Sequence, residues 1–537
     1  MTRYGMALSA FALWLTAWIV LSWAAIQDDA LIHLRYAENL VAHHAITYDG
    51  VHPNFGTSSL LYVGLLAAAS TVTRSPNLPR LVSSVAHAAL FGGLAWIFLR
   101  RLERTSRLAS LLSLILLALL ISPSSIRWLD DGMETGIVLC GTASLACFAW
   151  EQSRRTTVTT GEFAGMALIG FLLVLLRTEL AMLAGIAAAA MFAGRLEAGG
   201  EGGCDRSVRG VVQAAIRSSH LVLGCLLGSA AIVVTMGVLL PDTALAKAEG
   251  MGAWRLVLVA TRVVMTSSLS VGAGLAIFWL LTLTLVVVRR RLDAATAVAN
   301  LVFPVLVGLS MLRGQDIQGV RYLLWALLFP SVWNVLSLGR GRAGVAREVR
   351  AGNRSSELAP VYAFALLFLL ELPFEAKLMY HVLTTRARTM RAFEGQHLEQ
   401  LAGLEGVSMD IGYIGYFTHA RICDMSGLVN GRAVARMGTL ARVKRCADQN
   451  PGFAFGNSDQ LDVLARYLPM SSWRVCGEYS FGNLRSPDTH FLVAPPAVAD
   501  GICRAAGRAS ATISGTTPID GLLHRTDLRS PEAPGAR

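Results

Sequence analysis

The sequence predicts a polytopic α-helical membrane protein of about eleven spans, followed by a small α/β domain outside the membrane. Three observations predict it. Apolar residues make up 54% of the 537 residues and charged residues only 15%, and mean hydropathy is +0.51, a balance far from that of a soluble domain. Apolar runs of membrane length recur through residues 1–373 and then stop. Arginines gather in the loops between those runs, as the positive-inside rule expects of one fixed orientation. The formal charge of +11 comes mostly from arginine. It forms no basic, aromatic-interleaved patch, so a nucleic-acid partner is not expected.

The first run, roughly 5–26, has Arg3 before it and no small-residue cleavage site before the acids that follow, which reads as a retained span. Further spans fall at roughly 80–99, 108–127, 134–150, 161–177, 178–194, 218–240, 270–288, 295–312, 320–338 and 357–373. With the N-terminus in the cytoplasm, the arginine clusters within 100–107, 154–155, 195–217, 289–291 and 340–354 all lie inside. That solution requires the apolar run Ser58–Thr73 to be re-entrant or interfacial, because a full span there would invert every later loop. Residues 27–79 then form one large outer loop, and the odd span count places the chain after about 374 outside as well. One long span over 161–194 would bury Arg177 and Glu179 at its centre, at a cost of roughly 2.5 to 3.5 kcal/mol per central charge of this kind. Two short spans meeting at the outer face avoid it.

Two adjacent acids, Asp28 and Asp29, follow the first span directly and sit at the water interface rather than in hydrocarbon. If the segment is helical, Asp28, Ile32, Arg35 and Asn39 share one face, while Asp29, His33 and Tyr36 share the next. The plain alternative is a helix N-terminus with acids favourable to its dipole. Asp131 and Glu134 form a second acidic pair at the start of a span. Their i,i+3 spacing fits either a simple N-terminal box, with Asp131 as N-cap, or two carboxylates turned to a cavity. There they would orient hydroxyls or complete a divalent-cation site with Asp29 and His33. No zinc spacing occurs. Arg177, Lys247 and Arg321 are cations placed outside near the membrane surface. There arginine can grip a lipid phosphate bidentately and lysine can act as a point charge. Snorkelling to headgroups and an Arg177–Glu179 structural pair are the alternatives.

Residues 374–503 change character. Trp473–Phe481 and His490–Ala494 read as strands, and Ser458–Tyr467 as a helix with Ser458 a candidate N-cap. Together they suggest a small α/β domain of ordinary size. Cys423, Cys446, Cys476 and Cys503 permit two disulfides in an oxidising exterior, with three connectivities open. Cys140, Cys147, Cys204 and Cys225 lie in or near spans and read as inert thiols. The tail 504–537, rich in Ser, Thr, Gly and Pro, is expected to be disordered.

Six segments, taken in order, resemble motifs of the GT-C superfamily of membrane glycosyltransferases. More narrowly, they resemble the branch of mycobacterial terminal arabinofuranosyltransferases and their proteobacterial relatives. They are Asp28-Asp29-Ala30 with Arg35-Tyr36-Ala37 and Asn39-Leu40; Asp131-Gly132-Met133-Glu134-Thr135; Arg177-Thr178-Glu179; Pro241-Asp242-Thr243 with Ala246-Lys247; Gly319-Val320-Arg321-Tyr322-Leu323-Leu324; and Asp410-Ile411-Gly412-Tyr413-Ile414-Gly415, followed by Asp424 and Gly427-Leu428. The topology independently puts all six on the outer face.

The resemblance implies a GT-C membrane domain over 1–373 and a periplasmic α/β domain over 374–503, in a bacterial inner membrane. It implies inverting transfer of a sugar, arabinofuranose by branch, from a polyprenyl-phosphate donor. The acceptor would be an envelope glycan, glycolipid or surface protein. Asp28 or Asp29 would be the base, Asp28 being favoured as the first acid of the pair, and the other would position the acceptor or bind a metal. His33, Tyr36, Asp131, Glu134 and Asp410 would face the acceptor cavity. Arg177, Lys247 and Arg321 would bind the donor phosphate, and a divalent cation on Asp29, His33 and Glu134 is the one cofactor considered. The segment His52-Pro53-Asn54-Phe55-Gly56-Thr57-Ser58-Ser59-Leu60 departs from the family, lacking its acid and the proline after the serines. A lipid-linked-sugar flippase, with charges at helix breaks, and a non-catalytic envelope scaffold are the competing readings. The clustering of the acids on one face weighs against the first, and the joint presence of Asp28, Asp29 and Glu134 against the second.

Overall fold

The computed structural model describes residues 23–102, 107–155, 159–201, 208–246, 272–313, 321–339, 354–482 and 487–507, with isolated positions before residue 23. Most of the first expected span therefore lies outside the described residues, as do Lys247, Cys204 and all of the tail beyond Gly507.

The chain is mostly helical. It opens with α1 (Asp28–His43), α2 (Leu60–Ser70), α3 (Leu78–Leu102), α4 (Arg107–Leu120), α5 (Pro123–Leu129), α6 (Thr135–Gln152), α7 (Thr160–Leu176) and α8 (Leu180–Glu201). Then come α9 (Val208–Met236), α10 (Asp242–Ala246), α11 (Gly272–Val288), α12 (Ala294–Ala299), α13 (Val302–Arg313), α14 (Arg321–Leu338) and α15 (Arg354–Glu394). Among the described residues four helical stretches are long and apolar enough to cross a membrane: Leu78–Phe98, Leu180–Glu197, Gly210–Met236 and Leu358–Glu394. Leu108–Leu120 and Pro123–Leu129, bent by 61°, make a fifth if counted as one. The bend has a local cause. Ser122 accepts the Ser125 N–H at 3.3 Å and starts a new helix, and Pro123 at its first turn has no N–H to continue the old one.

Helix α2 covers most of the run Ser58–Thr73. Its 11 residues extend ~16 Å at 1.5 Å per residue, about half a hydrocarbon core. The stretch 161–194 is two helices, since Arg177 is extended (φ −161°, ψ 128°) and ends α7. Helix α15 runs 41 residues without a break, ~60 Å, so the expected domain boundary falls inside it and its last turns belong to the C-terminal unit.

That unit is a five-stranded sheet in the order β2-β1-β3-β5-β4. Its strands are β1 (Glu405–Ser408), β2 (Arg421–Asp424), β3 (Phe453–Asn457), β4 (Arg474–Gly482) and β5 (Pro487–Ala494). β1 pairs in parallel with β2 and β3, and β5 pairs antiparallel with β3 and β4. Helix α16 (Ile411–Thr418) crosses from β1 to β2. α17 (Arg432–Ala435), α18 (Thr439–Ala447), α19 (Ser458–Ala465) and α20 (Pro496–Ala505) complete it. Asn457, not Ser458, caps α19, in a box with Gln460. Cys423 pairs with Cys446 and Cys476 with Cys503, which selects one of the three connectivities. The main apolar core lies among the long helices. A second core is shared between α1, α2 and the sheet unit, where Tyr36, Tyr48 and Tyr62 belong to the same cluster as Phe393, Tyr413 and Phe455. This shared core fixes the sheet unit over the start of α1.

Candidate functional site

The site begins where α1 meets α16. The Asp28 carboxylate accepts the N–H of Gly412 at 2.9 Å on Oδ2 and that of Tyr413 at 2.7 Å on Oδ1. These are free N–H groups of the first turn of α16, where an anion is favoured. Glycine is needed at 412 because a Cβ there would overlap the Asp28 carbonyl, and at 415 because a Cβ would overlap the Tyr48 hydroxyl. The Gly-x-x-Gly spacing of the last motif is thus a packing requirement. Arg35, expected on the Asp28 face, locks the same junction. It donates to the carbonyls of Tyr48 (2.7 Å), Ala420 (3.1 Å) and Gly415. Tyr48 and Tyr413 add hydroxyl bonds to the carbonyls of Ile411 (2.6 Å) and Ile26 (2.7 Å).

Asp28, Asp29 and Asp410 form an acidic cluster. Burial, with the negative charges of Asp410 and Asp29 beside it, pushes the Asp28 carboxyl up to about 7, against the lowering effect of its two N–H bonds. Asp410 is held below the usual carboxylate range by His490, whose Nε2 lies 2.8 Å from its Oδ2, and by Gln460 Nε2 at 2.7 Å. His490 and Gln460 are far along the chain and carried no sequence signal.

A second network joins three of the motifs. His33 Nδ1 lies 2.8 Å from Thr57 Oγ1, and its Nε2 faces Glu134 Oε2 at 3.6 Å. Glu134 Oε1 accepts from Ser58 Oγ at 3.1 Å and from Arg177 Nη1 at 3.2 Å. Arg177 also grips Glu179 Oε1, through Nε at 2.6 Å and Nη2 at 2.5 Å. The charge of Arg177 is therefore met by two carboxylates, the pairing that the sequence also allowed. Asp131 is not an N-cap. Glu134 occupies that position without a side-chain cap bond, while Asp131 Oδ1 accepts the Met133 N–H at 3.0 Å and its carbonyl accepts the Gln27 N–H at 2.9 Å. Tyr36 donates to Asn54 Oδ1 and accepts the Gly56 N–H at 3.1 Å. It organises the 52–60 loop from within a buried position.

The remaining motifs pack around that loop. Asp242 accepts the Phe55 N–H at 3.3 Å and donates its own N–H to the Phe55 carbonyl at 2.7 Å. Asp424 collects the N–H groups of Ser426 (2.7 Å), Leu428 (2.5 Å) and Val429 (3.1 Å). The turn so formed presses its Leu428 carbonyl against Gly56, where a Cβ would clash. Lys247 and the side chain of Arg321 lie outside the described residues. Among the described residues no three His, Cys, Asp or Glu side chains are grouped to hold a metal ion, so the expected set Asp29, His33 and Glu134 is not assembled. Both ring nitrogens of His33 already face protein oxygens. A cavity of about 480 Å3 lined by Phe393, Glu394, Tyr416, Phe417 and His419 among others opens beside α16. Compared with models of known protein families and with curated protein sequences, the chain matches none.

Proposed function

We propose that the chain is an inverting glycosyltransferase of the GT-C type that moves a sugar from a polyprenyl-phosphate donor to an envelope acceptor on the periplasmic face of a bacterial inner membrane. The observation that carries this reading is convergence. Segments separated by up to 385 residues, five of the six that resemble GT-C motifs, are joined by contacts that run from Asp28 through α16, through His33 to Glu134 and Arg177, and through the 52–60 loop to Asp242. No single packing need accounts for so many carboxylates in one place, since like charges at close range cost stability. Active sites accept that cost.

In the proposed reaction the acceptor hydroxyl oxygen attacks the anomeric carbon and its proton passes to Asp28. The bond from that carbon to the phosphate oxygen breaks, and the polyprenyl phosphate departs with the electron pair. A carboxyl near 7 is half-ionised at neutral pH, the range in which a general base works best. Its two α16 N–H bonds hold it in one orientation and leave further lone pairs for the hydroxyl. Asp29 and Asp410 keep it basic by their charge. The test is sugar transfer by purified protein from a labelled polyprenyl-phosphate-sugar panel that includes arabinofuranose. No transfer from any donor, with translocation of labelled lipid in vesicles, would replace this reading by the flippase.

A further inference from the structure

The start of α16 is capped from outside. Asp410 is its N-cap residue, with the extended backbone of that position (φ −98°, ψ 91°), yet its side chain caps none of the helix's own N–H groups. An aspartate there ordinarily accepts the N–H of the second or third helical residue, and it is among the residues that do so best. In α16 those residues are Gly412 and Tyr413, the two whose N–H groups Asp28 holds at 2.9 and 2.7 Å. Asp28, nearly four hundred positions earlier in the chain, therefore stands where the helix's own cap would stand.

The reason lies in the sheet unit. Asp410 Oδ2 accepts from His490 Nε2 at 2.8 Å and from Gln460 Nε2 at 2.7 Å, and these bonds engage the carboxylate away from the first turn of α16. Both holders are themselves fixed. His490 is buried on β5, stacked on the Phe455 ring at 5.4 Å and edge-on to Phe481 at 4.7 Å. Gln460 is locked by the capping box of α19, where its Oε1 accepts the Asn457 N–H at 3.1 Å and its own N–H meets Asn457 Oδ1 at 3.0 Å. The Asp410 carbonyl accepts from Ser408 Oγ at 2.9 Å, so the freedom left at Asp410 is in its side chain. That side chain is 42% exposed, which leaves it room to turn.

Two carboxylates cannot share two N–H groups without like-charge repulsion, so the start of α16 is contested. We propose that His490 and Gln460 are positioning residues: by holding the Asp410 carboxylate off the start of its own helix, they reserve the Gly412 and Tyr413 N–H groups for Asp28. With either holder lost, Asp410 turns back to cap α16, and Asp28 loses the orientation those bonds give it. The contest is set by the fold; only what Asp28 then fails to do rests on the glycosyltransferase reading.

Hydrogen exchange and sugar transfer, both on the full chain in detergent, test this. His490→Phe keeps the ring packing and removes the donor. Gln460→Glu keeps the capping box and puts a repelling oxygen where the donor was. Above the pH range in which Asp28 titrates, each should lower kcat at least tenfold with donor KM within twofold of wild type. His490→Gln, which keeps a donor near the Nε2 position, should retain most of the rate. In the first two variants exchange should quicken in the first turns of α1 while the start of α16 stays protected. Adding Asp410→Ala to His490→Phe removes the competitor and should restore both the rate and the protection of α1. Adding Asp410→Asn instead removes the charge but keeps a capping side chain, and should restore neither. Equal restoration by alanine and asparagine would overturn the proposal in favour of a purely electrostatic effect, as would unchanged α1 protection in both His490→Phe and Gln460→Glu. The expected exchange pattern, with no sugar transfer by wild type from any donor, would leave the contest standing and overturn the glycosyltransferase reading instead.

Discussion

Replacing Arg177 by methionine separates the two roles an arginine can have at this position. In the structure its guanidinium sits between Glu134, 3.2 Å away, and Glu179, 2.5 Å away, with side chains of Arg177 and Glu134 only 5% and 2% exposed. Removing the cation strands Glu134 without its countercharge, and breaking a buried pair by removing one partner costs ~3 to 5 kcal/mol. Glu179 is 34% exposed, so water relieves it and the loss falls mainly on Glu134. Glu134→Gln alone should cost less, because Arg177 keeps Glu179. The double variant should recover most of the loss, as neutral replacements of buried pairs often do. Reversible unfolding in detergent–SDS mixtures across this double-mutant cycle should give a coupling of ~2 kcal/mol or more. A stability change under 1 kcal/mol in Arg177→Met, with donor affinity falling tenfold, would refute the pairing and return Arg177 to the donor phosphate.

The acidic cluster makes a pH prediction with a definite sign. Transfer should rise with pH through about 7, the Asp28 value, reaching about one-tenth of its plateau one unit below. Asp410→Asn removes a charge that raises Asp28, so the profile should move to lower pH, and a profile unmoved would disconnect the two acids. Gly412→Ala should prevent the sheet unit from seating on α1, because the added methyl overlaps the Asp28 backbone. Limited proteolysis would then cut the α1–α16 junction in the variant and spare it in the wild type. Reduction, or Cys423→Ser, opens a link between positions separated by 23 residues and should destabilise the sheet unit by about 3 kcal/mol, read as a lower unfolding midpoint for that unit.

The helical, apolar character of the membrane part was legible because hydropathy is a local signal. The short α2, the break at Arg177 and the helices near the expected spans all follow from residues close in sequence. Of the five strands, β4 and β5 were legible by alternation, whereas the short β1, β2 and β3 were not. What the sequence concealed depends on distant pairing. Asp28 looks like a helix-start acid, and the ligands it holds, Gly412 and Tyr413, lie nearly four hundred positions on. Arg177 and Glu134 look like independent functional charges until the fold brings them to 3.2 Å. The length of α15 was hidden because charges appear in it after Glu375 while its helix-forming residues continue.

The central claim is that Asp28 is the base of a sugar transfer. It is tested most directly by measuring transfer from a radiolabelled polyprenyl-phosphate sugar with purified wild type and Asp28→Asn, each checked for folding by unfolding midpoint. An asparagine offers one oxygen to the two N–H groups that Asp28 serves, so a stability loss of ~1 to 3 kcal/mol is expected, short of unfolding. The account predicts that folded Asp28→Asn loses ~10² to 10⁴ in rate with donor binding retained. Transfer within threefold of wild type by the folded variant would contradict it.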